Sequence, residues 1–244
     1  MPQRTPDHVA ASADEMDPAS GSGPVTRSDD AAVPVTIFPG RSPMLMVLSG
    51  PSGAGKDAVL QHLRVRRPDV HYAVSVTTRR PRPGEIPGIS YDFVSPEEYH
   101  HLKDRGELLA ADCVHGNWYG VPIPQIRSAL QLGRDVLLKI DVQGAAEVRN
   151  RLPHSVSIFL APPSFEEIST RLMQRRTESP TEFDRRVNDA RSEMAQISRY
   201  DYVVLNPAGA LGSAVSDIEC IITAERHRVH REPVDLQRLD SYQP

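Results

Sequence analysis

Cysteine is scarce in this chain. Cys113 and Cys220 are the only two in 244 residues, far apart and without CxxC or Cys/His ligand spacing. That excludes a disulfide framework and a cysteine zinc site, and leaves two reduced thiols as the reading. Long apolar runs are also missing: nothing approaches the roughly 18 residues that cross a bilayer, and no basic stretch followed by an apolar one opens the chain. There is no excess of positive charge either. The formal net charge is −4 with 25% charged residues, so the bulk balance calls for neither nucleic acid nor an anionic membrane as partner, and any basic site must be local. No internal repeat is visible. A soluble protein of a reducing, cytoplasmic location is expected.

What is present is enough for one α/β domain with tails. Residues 1–43 are dominated by Ala, Ser, Pro, Asp and Gly, a composition that cannot bury enough apolar surface to offset the entropy of ordering, and are expected to be a disordered extension. Residues 230–244 are again polar and proline-flanked and are expected to form a second tail. Between them, residues 44–229 alternate short apolar runs with helical patterns, the signature of a parallel sheet flanked by helices. Met44–Ser49, Val136–Ile140, Val156–Leu160 and Tyr202–Leu205 read as buried strands. Ser95-Pro-Glu-Glu98 and Ser164-Phe-Glu-Glu167 read as capping boxes at helix starts. Residues 76–122, richer in Pro, Gly, Arg and Tyr, are expected to be an inserted lobe.

The first strand runs into Gly50-Pro51-Ser52-Gly53-Ala54-Gly55-Lys56, and a helical pattern follows. Glycines in such a turn let successive backbone N–H groups point at phosphate oxygens, the helix N-terminus adds partial positive charge, and the lysine reaches the outer phosphates. This is the context of a P-loop, and by mechanism an ATP site. After the lysine a P-loop normally offers a hydroxyl to Mg²⁺, whereas here Asp57 and Ala58 follow. The Asp57 carboxylate is either a ligand of the Mg²⁺ that accompanies ATP or a cap on the helix dipole.

Two arginine groups point to further phosphate contacts. Thr77-Thr-Arg79-Arg-Pro-Arg82 concentrates cations beside prolines that stiffen the loop, holding guanidinium forks apart for bidentate contact. Arg171, Arg175 and Arg186 fall on two helical patterns within residues 166–190, joined by Arg176-Thr-Glu-Ser-Pro180, a segment suited to a hinge. That arrangement would let a helical lid bring several cations over a triphosphate.

From about Met44 to Arg228 the chain resembles the guanylate kinase family. The resemblance is carried by Gly50–Lys56, Ser75-Val-Thr-Thr-Arg-Arg-Pro-Arg-Pro-Gly-Glu85, Gly88-Ile-Ser-Tyr91-Asp-Phe93, Gly116-Asn-Trp-Tyr119-Gly120, Ile140-Asp-Val-Gln-Gly144, Leu160-Ala-Pro-Pro-Ser164, Arg171–Glu178 and Val203-Val-Leu-Asn206. It implies a P-loop nucleoside monophosphate kinase with an inserted GMP-binding lobe and a helical lid, moving the γ-phosphoryl group of ATP onto GMP with Mg²⁺. By that resemblance Arg79, Arg82, Tyr91 and Tyr119 hold the GMP phosphate, Ser75 and Asp141 contact guanine, Arg171, Arg175 and Arg186 are lid arginines, and Asn206 lies near the ATP end. The sequence departs from the family where a glutamate and a hydroxyl residue contact the base: Ala110 and Val121 stand there. Either Asp112 or Asp141 compensates, or selection is relaxed. Lys139 replaces what is often an acidic residue, and reads either as an ammonium on the transferring phosphoryl group or as a strand-end lysine. Lys56-Asp57 and Tyr119-Gly-Val121 also resemble ribose 1,5-bisphosphate phosphokinases, and non-catalytic guanylate-kinase-like binding modules share the fold. Against these, the loop, the lid and the Arg79–Tyr91 block together favour the kinase.

Overall fold

Leu45–Ser49 (β1) is a strand with every side chain buried, as a strand covered on both faces requires. In chain order the other elements are Lys56–Arg66 (α1), His71–Tyr72 (β2), Val76–Thr77 (β3), Asp92–Phe93 (β4), Pro96–Asp104 (α2), Leu108–Val114 (β5), Asn117–Pro122 (β6), Ile123–Gln131 (α3), Val136–Lys139 (β7), Val142–Arg151 (α4), Val156–Ala161 (β8), Phe165–Met173 (α5), Pro180–Met194 (α6), Tyr202–Leu205 (β9), Leu211–Arg226 (α7) and Gln237–Asp240 (α8). This computed structural model describes residues 42–114, 116–173 and 180–240. The proposed N-terminal extension therefore lies almost wholly outside the described residues.

Among the described residues one sheet has the order β2-β7-β1-β8-β9, with every pairing parallel. The four strands expected from apolar runs are all in it, but β9 is an edge strand with Val203 and Leu205 exposed and only Val204 buried, so the burial expected of Tyr202–Leu205 is not met. The edge strand β2 escaped the sequence reading because two residues carry no periodicity. One side of the sheet packs Met46, Leu48, Ile158 and Leu160 against α1 and α7, and the other packs Leu45, Val47 and Leu138 against α3 and α4. The strands thus alternate faces into two cores, and their C-terminal ends, where open α/β sheets bind ligands, carry Ser49 and Lys139.

Residues 76–122 form a second sheet, β4-β3-β6-β5. Its middle strand β6 pairs antiparallel with both β3 and β5. Between the pairs Leu109↔Val121 and Asp112↔Tyr119 the register shifts, which marks a bulge on β5. Ala110 sits in it at φ 53°. Helix α2 starts where the capping pattern placed it, with Ser95 Oγ accepting the Glu98 N–H at 3.1 Å. Its Tyr99 is fully buried and stacks on Trp118 at 5.6 Å between centroids, beneath the sheet. Ser164 Oγ accepts the Glu167 N–H at 3.4 Å at the second predicted cap.

The segment read as a polar tail from residue 230 is in part packed. Arg231 pairs with the buried Glu225 of α7, and Leu239 of α8 is buried in the core with Leu152 and Val148, flanked by Leu236. Two leucines among polar residues give too weak a pattern to signal burial from sequence. Residues 241–244 lie outside the described residues.

Candidate active site

The turn after β1 makes a cradle whose shape is fixed by contact as well as by dihedral angle. Gly50 has φ 140° and Gly55 φ 93°, values that side chains rarely tolerate. A Cβ at Gly50 would stand 2.2 Å from the Leu160 carbonyl oxygen, and one at Gly55 2.5 Å from the Asn206 amide nitrogen. The Ala54 N–H donates to the Pro51 carbonyl at 3.1 Å. Lys56 folds back over the loop, its Nζ donating to the carbonyls of Gly50 at 2.5 Å and Pro51 at 3.1 Å. Burial pulls the Lys56 pKa below its ordinary value, while the carboxylates of Glu193, Asp57 and Asp141 act in the opposite direction.

Three distant elements close on this cradle. From α5, Arg171 donates to the carbonyls of Ala54 at 3.3 Å, Gly53 at 3.4 Å and Asn206 at 2.6 Å, and pairs with Glu167. Asn206, just after β9, donates its amide N–H to the Ala54 carbonyl at 2.8 Å. From α6, Arg186 donates to Ser52 Oγ at 2.7 Å, and Glu193 Oε2 accepts the Ser52 N–H at 3.0 Å. Arg171 and Asn206 thus brace the loop backbone, and Arg186 reaches its hydroxyl. Arg175 and the hinge at 176–179 lie outside the described residues.

Facing the cradle, Arg79 is held as a fork. Its Nη atoms donate to Glu85 Oε1 at 2.8 Å and Oε2 at 3.0 Å, and its Nε to the Tyr119 hydroxyl at 3.3 Å. Burial raises the Glu85 pKa, but the Arg79 hydrogen bond and the Arg82 N–H overcome it and leave the carboxyl below its ordinary range. Tyr91 and Tyr119 meet edge to face at 6.0 Å, with the Arg79 guanidinium 5.4 Å from the Tyr91 centroid.

Deeper in, Asp141 caps α4. Its Oδ1 accepts the Gly144 N–H at 2.8 Å, while its Oδ2 is buried with no hydrogen-bond partner among the described residues. Burial raises its pKa above the ordinary aspartate range, against the pull of the Gly144 N–H and Lys56. Asp112 stands opposite Tyr119 across β5 and β6, so the two share a face of the sheet. Its Oδ1 accepts the Cys113 N–H at 2.7 Å. Ser75 is buried just before β3, and Val121 is buried opposite Leu109.

These groups border one cleft of about 540 Å³. Of the candidates from sequence, Ser52, Gly53, Ala54, Gly55, Lys56, Asp57, Ser75, Arg82, Tyr91, Tyr119, Asp141 and Arg186 line it, with Ala110, Asp112, Val121 and Lys139. Gly50, Pro51, Arg79, Arg171 and Asn206 stand behind this lining, where they shape the loop or hold other side chains.

The family described as guanylate kinase matches residues 42–225. A guanylate kinase of Desulfitobacterium hafniense (strain Y51) is 44% identical over 80% of this chain and 96% of its own length. The chloroplastic/mitochondrial guanylate kinase 2 of Oryza sativa subsp. japonica is 43% identical over 82% of this chain and 70% of its own. The crystal structure of guanylate kinase from Anaplasma phagocytophilum superposes with a TM-score of 0.66 at 32% identity, covering 78% of this chain and 90% of that one. The chain belongs to the guanylate kinase family.

A guanylate kinase is an ATP-dependent nucleoside monophosphate kinase that passes the γ-phosphoryl group of ATP to GMP, and this is the activity of the chain. Sequence reasoning missed two supports of this guanylate kinase site. Glu85 lay inside a quoted block without a role, although an acidic residue three positions after Arg82 was signal enough for a local ion pair. Glu193 gave no signal at all, since it meets Ser52 across 141 positions.

Proposed function

We propose that the ATP phosphates lie on the Gly50–Lys56 cradle and the GMP phosphate lies against Arg82, Tyr91 and Tyr119, with Arg79 orienting Tyr119 and contributing its own charge. The observation that carries this reading is a cleft lined both by the cradle and by Arg82, Tyr91 and Tyr119, with Asp141, whose buried Oδ2 has no partner among the described residues, on the same lining. A buried acceptor lacking a donor is costly, and guanine N1–H and N2–H₂ are donors of the right kind. Asp141 therefore reads the base, Ser75 joins it, and Asp112 supplies a second carboxylate in place of the one absent at Ala110. In the reaction an oxygen of the GMP phosphate attacks the γ-phosphorus in line. The bond to the β,γ-bridging oxygen breaks, and its electron pair leaves on ADP. No general base is needed, because positioning and charge neutralisation dominate phosphoryl transfer.

Asp57 fits a Mg²⁺ brought in by ATP. It is a carboxylate beside Lys56 with its side chain 68% exposed, and Mg²⁺ takes one or two protein oxygens and completes its shell with water and phosphate. When bound, the ion would neutralise negative charge on the ATP phosphates. Arg186 and Arg175 join the donor phosphates when the lid closes, which also excludes water. Cys113 and Cys220 are free, exposed thiols, in keeping with a reducing cytoplasm, and no helix among the described residues is long and apolar enough to cross a membrane.

A coupled ADP assay offering ATP–Mg²⁺ with GMP, dGMP, AMP and ribose 1,5-bisphosphate in turn tests the substrate assignment. GMP should give the highest kcat/KM; AMP or the sugar bisphosphate equalling it would overturn the base-reading roles.

A further inference from the structure

Lys139 is the last residue of β7 and is 8% exposed, yet it carries an ammonium group into the cleft. A lysine almost never goes under unless it is paired. Here its Nζ donates to Asp57 Oδ1 at 2.6 Å and stands 4.1 Å from the centroid of the Tyr91 ring. These two neighbours belong to opposite ends of the reaction: Asp57 follows the cradle lysine in the first turn of α1, and Tyr91 belongs to the lobe that holds the acceptor. Nothing about folding requires a charge at this strand end. An apolar residue would bury at less cost there, because the desolvation of an ammonium is repaid only by close partners. Paired with Asp57, the ammonium is set where the donor and acceptor compartments meet.

We infer that Lys139 is a catalytic residue, its Nζ donating to an equatorial oxygen of the phosphoryl group in flight between the two substrates. This rests on the placement of ATP and GMP proposed above. The charge on those oxygens stands between the two ends of the cleft during transfer, and a preorganised donor aimed there acts on the transition state more than on either bound substrate. With three N–H donors, Nζ retains Asp57 while it takes the phosphoryl oxygen. Asp57 is on this view a positioning residue whose Oδ1 aims the ammonium.

The test uses the full chain with ATP–Mg²⁺ and GMP. Lys139→Met keeps the stem and removes the charge, and should lower kcat by about 10²–10³-fold with both KM values within about threefold. Lys139→Ala should regain part of its kcat in a saturable manner on addition of methylammonium or ethylammonium, which a purely structural lysine would not show. Should Lys139→Met fail to fold, the rescue of Lys139→Ala decides, and if that too is unfolded, Lys139→Gln, neutral and of similar reach, with parental kcat would overturn the inference. A kcat within threefold of the parent in Lys139→Met, or no amine rescue in a folded Lys139→Ala, would also overturn it. Failure of the parent protein to prefer GMP would instead strike at the substrate placement.

Discussion

The two ends of the cleft are built in different ways. The donor end is backbone: a strand buried on every residue, two glycines held open by contacts at Leu160 and Asn206, and a helix start. The acceptor end is side chain: strands β3 and β4 have two residues each, and its shape is kept by the Arg79–Glu85 fork, the Tyr91–Tyr119 contact and the Tyr99–Trp118 stack. A backbone cradle admits almost no change, since a side chain at Gly50 or Gly55 would collide with Leu160 or Asn206. A side-chain lobe can exchange one residue for another and keep its outline, and it is there that Ala110 and Val121 stand where the resemblance leads one to expect a glutamate and a hydroxyl residue.

The comparison is broken most severely from the donor end. Lys56→Ala should lower kcat at least about 10³-fold while the circular dichroism spectrum and Tm stay near the parent values, because the loop's turn does not depend on that side chain for its dihedrals. Near-normal turnover would mean that the cradle does not hold the transferring phosphates.

Next comes Asp141→Asn at the acceptor end, expected to reduce kcat/KM for GMP by about 100-fold, in the range of a lost charged hydrogen bond of about 1.5–3 kcal/mol. The same variant sharpens the picture through pH. Burial raises the Asp141 pKa, so the ionised carboxylate costs the folded state stability, and the contribution it makes when protonated is lost as pH rises through that raised value. Asp141→Asn keeps a capping side chain, so it should raise Tm at pH 7, with the gain shrinking as the pH falls through that raised value toward the ordinary aspartate pKa of about 4. The parent enzyme should lose GMP affinity on the acid side at a higher pH than an ordinary aspartate would give. An unchanged Tm at pH 7, with GMP kinetics also unchanged, would remove Asp141 from the base site.

Asp112→Asn should have a smaller effect, about tenfold on the ratio of kcat/KM for GMP over AMP, with ATP kinetics untouched. Equal discrimination before and after would show that Asp141 acts alone. The smallest change expected is in Ser95→Ala, which removes the cap of α2 and should cost about 1 kcal/mol in urea unfolding with no effect on kcat. A fall in kcat there would show that the acceptor lobe depends on its outer helix more than its contacts suggest.

The same contrast explains what could be read in advance. The cradle, the four strands and both helix caps were legible because each is encoded within a few neighbouring residues, through glycine spacing, apolar runs or a serine three positions before a glutamate, whereas the exposure of Val203 and Leu205 on the edge strand β9 was not. The side-chain constructions were legible only as composition. The arginines and tyrosines of the lobe were visible as a cluster, but the hold of Glu85 on Arg79 was passed over, and the meeting of Lys139 with Asp57 across 82 positions needed the fold. The bulge that sets Ala110 at a positive φ and turns Asp112 opposite Tyr119 was illegible for the same reason: register is a property of two strands, and one strand's sequence does not state it.

Leu239 bears on where this chain can be cut. The residues that match the family stop at 225, and an expression boundary drawn there would look natural. It would strip Arg231 from the buried Glu225 and lift a leucine out of the core beside Val148 and Leu152, leaving a charge without its partner and a hole under α4. The border of the likeness and the border of the folding unit differ by about one short helix, and a truncated form that aggregates would be reporting on that helix and not on the enzyme.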